Sequence, residues 1–261
     1  MAEGVIDKIQ ASVLDSFHQA RYSVNGWLLS RESDVVRTLV RASLTAFALV
    51  VAITPAPGQD SRQNEAGQFD FYVLSLSWSP SFCAAAAERE RDATRAPSRQ
   101  CGERPYSFVV HGLWPQYDKG FPEYCQVPPP RLDRGIVSSM LDLMPAPHLI
   151  FNEWDRHGTC SGLAPRAYFE AVRKARAMVK IPPAYIDLRE PLSVTPAAVE
   201  EAFKTANPGL SQDGIAVGCD KKRLTEVRIC LSKELQFRDC AEIARRSCRR
   251  DQLVMPPLRG S

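Results

Sequence analysis

The 261-residue chain has no apolar run long enough to cross a bilayer. Its clearest one, residues 42–53, covers 12 positions, against roughly 20 for a membrane helix. Close-spaced C-x-x-C pairs are missing too, although the chain has 8 cysteines, and zinc sites usually depend on such pairs. Lysine is sparse, with 8 against 25 arginines, and histidine is sparser, with 4 in the whole chain. No internal repeat is present, which argues against solenoid and propeller architectures. Disorder throughout is excluded by an apolar share of 44%, ordinary for a domain with a real core.

The cysteines are even in number and all lie between Cys83 and Cys248. Their spacings read as a disulfide framework built in an oxidising compartment. Spacing alone leaves 105 connectivities open for eight cysteines. The arginine bias suits bidentate contact with phosphate, but a solvated basic surface produces the same composition, as the run Arg245, Arg246, Arg249 and Arg250 illustrates.

Residues 42–53 follow Arg37 and Arg41 and precede small residues and prolines, the basic, apolar, small-residue order of a secretory signal. The expected organisation is therefore an upstream extension with a signal-like segment (1–56), a linker (57–67) and one domain (68–256), placed in the periplasm or secreted. Within the domain, Phe69–Trp78 reads as a central strand and Tyr106–Val110 as a second that ends by delivering His111, because Gly112 and Pro115 interrupt regular structure. Helical spacing covers 132–144 and 164–179, the latter with Tyr168, Phe169, Val172 and Met178 on its apolar face. Thr195 is a candidate N-cap, Leu224–Leu231 reads as a strand, and the tail from Cys240 as loop. Unordered mixing of strands and helices predicts an α+β domain with a mostly antiparallel sheet flanked by helices and stapled by disulfides.

Two segments carry chemistry. Residues 108–115 read F-V-V-H-G-L-W-P and residues 151–160 read F-N-E-W-D-R-H-G-T-C. Each supplies one histidine, the side chain able to give and take protons near neutrality. In a helix, Glu153, Arg156 and His157 at i, i+3 and i+4 share one face.

These segments, with the lead-in Phe71–Cys83, resemble the active-site stretches of the ribonuclease T2 family of secreted or vacuolar RNases. The resemblance implies an endoribonuclease acting on single-stranded RNA as a monomer, with no metal, cofactor or obligatory protein partner and no stable membrane span. It implies that His157 takes the 2′-OH proton, that His111 protonates the 5′-leaving oxygen, and that the two exchange roles when water opens the 2′,3′-cyclic phosphate to a 3′-phosphate. Glu153 and Arg156 match the pair that steadies the phosphorane, and Trp114 matches a base-stacking position, from which broad base tolerance follows. Disulfides Cys83–Cys101, Cys125–Cys160, Cys219–Cys248 and Cys230–Cys240 are implied likewise.

Two positions depart from the family pattern. Asn152 stands where a phosphate-binding histidine is usual, and Arg156 where lysine is. A charge-assisted contact is worth about 1.5–3 kcal/mol against about 1 for a neutral one, so slower catalysis or weaker binding is expected. His148 offers an alternative imidazole or is a solvated loop histidine. Two other classes compete: an impaired RNA-binding or interaction relative, suggested by Asn152, and a metal-dependent phosphodiesterase using His111, Glu153 and His157 as ligands.

Overall fold

Strand β1 (Phe71–Trp78) is buried at every position except Ser77 and takes an inner position in a four-stranded sheet, as its aromatic and branched residues suit. It pairs antiparallel with β2 (Phe108–Gln116) on one side and with β5 (Leu224–Leu231) on the other, and β5 pairs with β4 (Ile215–Cys219). A separate two-stranded sheet joins β3 (Leu192–Val194) to β6 (Leu253–Met255). The computed structural model describes residues 62–89, 99–102 and 104–258; the signal-like segment 42–53 and the extension before it lie outside them. The architecture is α+β, as the sequence predicts, but the tail is not all loop, since it holds a short helix and β6.

Alternation sorts the side chains of β1. Tyr72, Leu74, Leu76 and Trp78 enter the main core, while Phe71 and Val73, with Ser75 and Ser77 after them, face the opposite way. On β5, Val227, Ile229 and Leu231 share the core face, which leaves Glu226 and Arg228 on the other. In β2 the register slips: Leu76 pairs with Val110 but Ser75 with Gly112, so His111 is an extra, bulged residue. The strand therefore does not end at His111 as expected. It continues through Pro115, which is tolerated because β2 lies at the sheet edge. The bulge also inverts the alternation after it, so Leu113 joins the core while Trp114 packs on the smaller cluster of Phe71 and Val73.

Six α-helices lie among the described residues: α1 (Ser79–Arg89), α2 (Arg134–Met140), α3 (Pro147–Arg156), α4 (Pro165–Met178), α5 (Pro196–Ala206) and the short α6 (Ala241–Ala244). Pro147, Pro165 and Pro196 each open a helix, where a missing N–H costs nothing. Thr195 caps α5 by accepting the Ala198 N–H at 3.0 Å, and Asp133 caps α2 in the same way. Helix α2 is shorter than its spacing suggested and passes into turns before Met144. Tyr168, Phe169, Val172 and Ala175 form the inner face of α4; Met178, expected there, is exposed at its last residue.

Helix α3 sends Ile150 and Trp154 into the main core, and the Trp154 indole donates to the Pro130 carbonyl at 2.7 Å. The buried Tyr168 hydroxyl donates to the Leu113 carbonyl at 2.8 Å, tying α4 to β2. Four disulfides join Cys83–Cys101, Cys125–Cys160, Cys219–Cys248 and Cys230–Cys240. Cys125 and Cys160 are 35 residues apart, and closing a loop of that length restricts the unfolded chain by roughly 4 kcal/mol. Replacing both by alanine is expected to lower unfolding free energy by about that amount in denaturant titrations; an unchanged midpoint would show that this crosslink leaves stability untouched.

Candidate active site

The last turn of α3 brings Glu153, Arg156 and His157 to a cleft of about 330 Å³, whose opposite wall is the face of the sheet that carries His111, Trp114 and Arg228. The helix spacing thus does what the sequence suggested, and the bulge does the rest. His111 and Trp114 are three apart, a separation that would send them to opposite faces of a regular strand. The extra residue puts both on the cleft side. Trp114 lies between the histidines, its ring centroid 5.4 Å from that of His111 and 5.3 Å from that of His157.

Glu153 is buried, and its two oxygens have separate partners. Oε2 accepts the Trp114 indole N–H at 2.6 Å, and Oε1 faces His111 Nε2 at 3.5 Å. Burial raises its pKa, against the lowering effect of His111, the indole N–H and Arg156. A Cβ at residue 112 would overlap both the Glu153 carboxylate and the indole nitrogen. Gly112 is therefore required by this contact, not by a turn.

The two histidines are driven apart in proton affinity. Burial lowers that of His157, the nearby Arg156 and His111 lower it further, and its pKa falls from 6.5 to about 3. Its Nδ1 is buried with no hydrogen-bond partner among the described residues. Burial acts in the same direction on His111, with Arg228 adding to it, but the carboxylates of Glu226 and Glu153 outweigh both and leave its pKa above 6.5.

Not every predicted residue arrives in the form expected. Arg156 lines the cleft, but its guanidinium pairs with Glu123 at 2.9 Å instead of with Glu153. Asn152 is exposed and outside the cleft lining, because one helical residue before Glu153 is a turn of about 100° away from it. His148 belongs to the first turn of α3 and not to a loop; it borders a smaller hollow of about 110 Å³ that His111 also lines. Glu226 and Arg228 were missed altogether. They occupy alternate positions on β5 that look like the solvent side of a strand, and only β5's place beside β1 turns them toward His111. No group of three or more His, Cys, Asp or Glu among the described residues is placed to hold a metal ion.

Known proteins share these features. The model of the Ribonuclease T2 family matches residues 69–240. A protein of Aeromonas hydrophila called "Ribonuclease" is 35% identical over 179 residues, 66% of this chain and 76% of that one. A "Probable ribonuclease" of Haemophilus influenzae is also 35% identical, over 127 residues, 46% of this chain and 47% of its own. Among solved structures, RNase NT in complex with 5′-AMP superposes with a TM-score of 0.58 at 26% identity, covering 72% of this chain and 98% of that one. With the family match spanning the strands and the helix that build the cleft, the chain belongs to the ribonuclease T2 family.

Proposed function

We propose that the chain is an exported, metal-independent endoribonuclease that cleaves single-stranded RNA through a 2′,3′-cyclic phosphate. The observation that carries this reading is the convergence of two histidines from different elements on one cleft, with Trp114 between them; their environments displace the two proton affinities in opposite directions. A neutral imidazole and a protonated one facing a common space are what intramolecular phosphoryl transfer needs.

His157, neutral down to low pH, takes the proton of the ribose 2′-OH. The 2′-oxygen attacks phosphorus, His111 gives its proton to the departing 5′-oxygen, and the P–O5′ bond breaks. In the second step His111, now neutral, takes a proton from water, whose oxygen attacks the cyclic phosphate. His157 returns its proton to the 2′-oxygen, leaving a 3′-phosphate. Arg156 and Arg228, two of the three arginines that line the cleft, offset the charge of the phosphorane. Trp114 and Phe121 give the cleft aromatic walls on which any base stacks, which supports broad base tolerance. Hollows on both sides of His111 suit a phosphate flanked by two nucleosides. Export is supported by the use of all eight cysteines in disulfides and by the signal-like order of residues 42–53; no described helix is long and apolar enough to cross a membrane.

RNA digested in chelator is expected to yield cyclic phosphates that mature to 3′-phosphates, with His111→Ala or His157→Ala slower by about 10²–10⁴-fold. RNA bound but left intact by a folded sample would instead establish the non-catalytic reading, and loss of activity in chelator the metal-dependent one. Cleavage requires His157 neutral and His111 protonated. Its rate is expected to rise as pH passes about 3, hold across the acidic range, and fall only above 6.5, where His111 loses its proton. An optimum confined to alkaline pH in a profile of kcat/KM would contradict these assignments.

A further inference from the structure

We propose that Glu226 is a positioning residue for His111, a fixed carboxylate on the Nδ1 side that orients the imidazole and keeps it protonated for the cleavage step; this rests on the acid and base reading above. Glu226 Oε2 lies 3.6 Å from His111 Nδ1. The same oxygen accepts the Ser75 hydroxyl at 2.7 Å, and the other accepts from Arg228 Nη2 at 2.5 Å. A carboxylate held from two sides has one orientation. Gly218, opposite Glu226 in the sheet, makes room for it, since a Cβ there would overlap the Glu226 side chain.

A carboxylate faces each ring nitrogen, Glu226 at Nδ1 and Glu153 at Nε2. An ionised carboxylate only accepts, so both favour the doubly protonated ring that cleavage needs. Burial disfavours the charge on Glu226, but His111, Arg228 and Ser75 outweigh that and hold its pKa down to about 2. It therefore stays an acceptor through the working range. The charged and titratable groups facing His111 are Glu226 and Arg228 from β5, and Glu153, Arg156, His157 and, across the smaller hollow, His148 from α3 and its end. Strand β1 adds only hydroxyls, with Ser77 Oγ 3.4 Å from Nδ1.

The test compares the full chain with Glu226→Gln and Glu226→Asp in two measurements. Proton NMR follows the His111 ring, its signal assigned by absence from His111→Ala, across pH. Kinetics follow RNA cleavage and cyclic-phosphate hydrolysis separately. In Glu226→Gln the His111 midpoint is expected to fall by about 1–3 units. The alkaline limb of cleavage moves down with it, a loss of about tenfold per unit at pH above the limb, while hydrolysis extends to lower pH because its base stays neutral there. Glu226→Asp keeps the charge and restores part of both. Should Glu226→Gln fail to fold, Ser75→Ala loosens the same carboxylate and is expected to give a smaller shift of the same sign. An unchanged His111 midpoint, or an equal fall of both reactions at every pH, would overturn the proposal and leave Glu226 a structural residue. A wild-type chain that makes no cyclic phosphate would refute the ribonuclease reading, while the ring titration still decides whether Glu226 governs the His111 proton.

Discussion

A carboxylate taken out of water must be fully occupied, and in this molecule that demand falls on Glu153. Its two oxygens are shared between an indole N–H and an imidazole, so the last turns of α3 and the bulged part of β2 have one admissible spacing. Leaving either oxygen unpaired would cost about 1–3 kcal/mol or more for a charged group. Much of the cleft follows from this. Gly112 is needed to clear the contact, Trp114 is turned edge-on to His111, and His157 is set one helical turn beyond. The Cys125–Cys160 bond and the Tyr124 N–H on the Arg156 carbonyl at 2.9 Å then hold the end of the helix in place.

The charges are arranged by element. Carboxylates surround the sheet's histidine, while the helix's histidine has a cation as its charged neighbour. Each wall favours a different protonation state of its histidine. Such an arrangement suits the acid and base roles proposed for the two histidines. Within the sheet wall, Arg228 pairs with Glu226, lies 5.6 Å from the Trp114 ring and also lines the cleft.

Features that depend on neighbours in sequence were legible. The helix face of Glu153, Arg156 and His157, the inner strand at Phe71–Trp78, and the proline or threonine starts of helices need only local spacing and chemistry. Features that depend on which strand lies beside which were not. Glu226 and Arg228 alternate with core residues just as solvent-facing residues do, and their side of the sheet is covered by the remote Ile243 and the Cys230–Cys240 bond. Gly112 and Pro115 read as breakers because composition does not reveal that β2 is an edge strand with room for a bulge. The partner of Arg156 was hidden for the same reason, since Glu123 reaches it from a loop 33 residues away in sequence.

An open sheet invites extension by a strand from another molecule, and the irregularities of β2 bear on that hazard. Outside β2, the Val110 N–H is taken by the Leu143 carbonyl and the Leu113 carbonyl by Tyr168, while the bulge at His111 and the missing donor of Pro115 spoil the ladder between and beyond them. At the far edge, Val217 of β4 is closed by the Ser247 hydroxyl and the Cys248 N–H. The same bent strand that turns His111 and Trp114 into the cleft thus denies a foreign chain a template, so that the shape of the cleft and resistance to edge-to-edge aggregation have a common backbone origin.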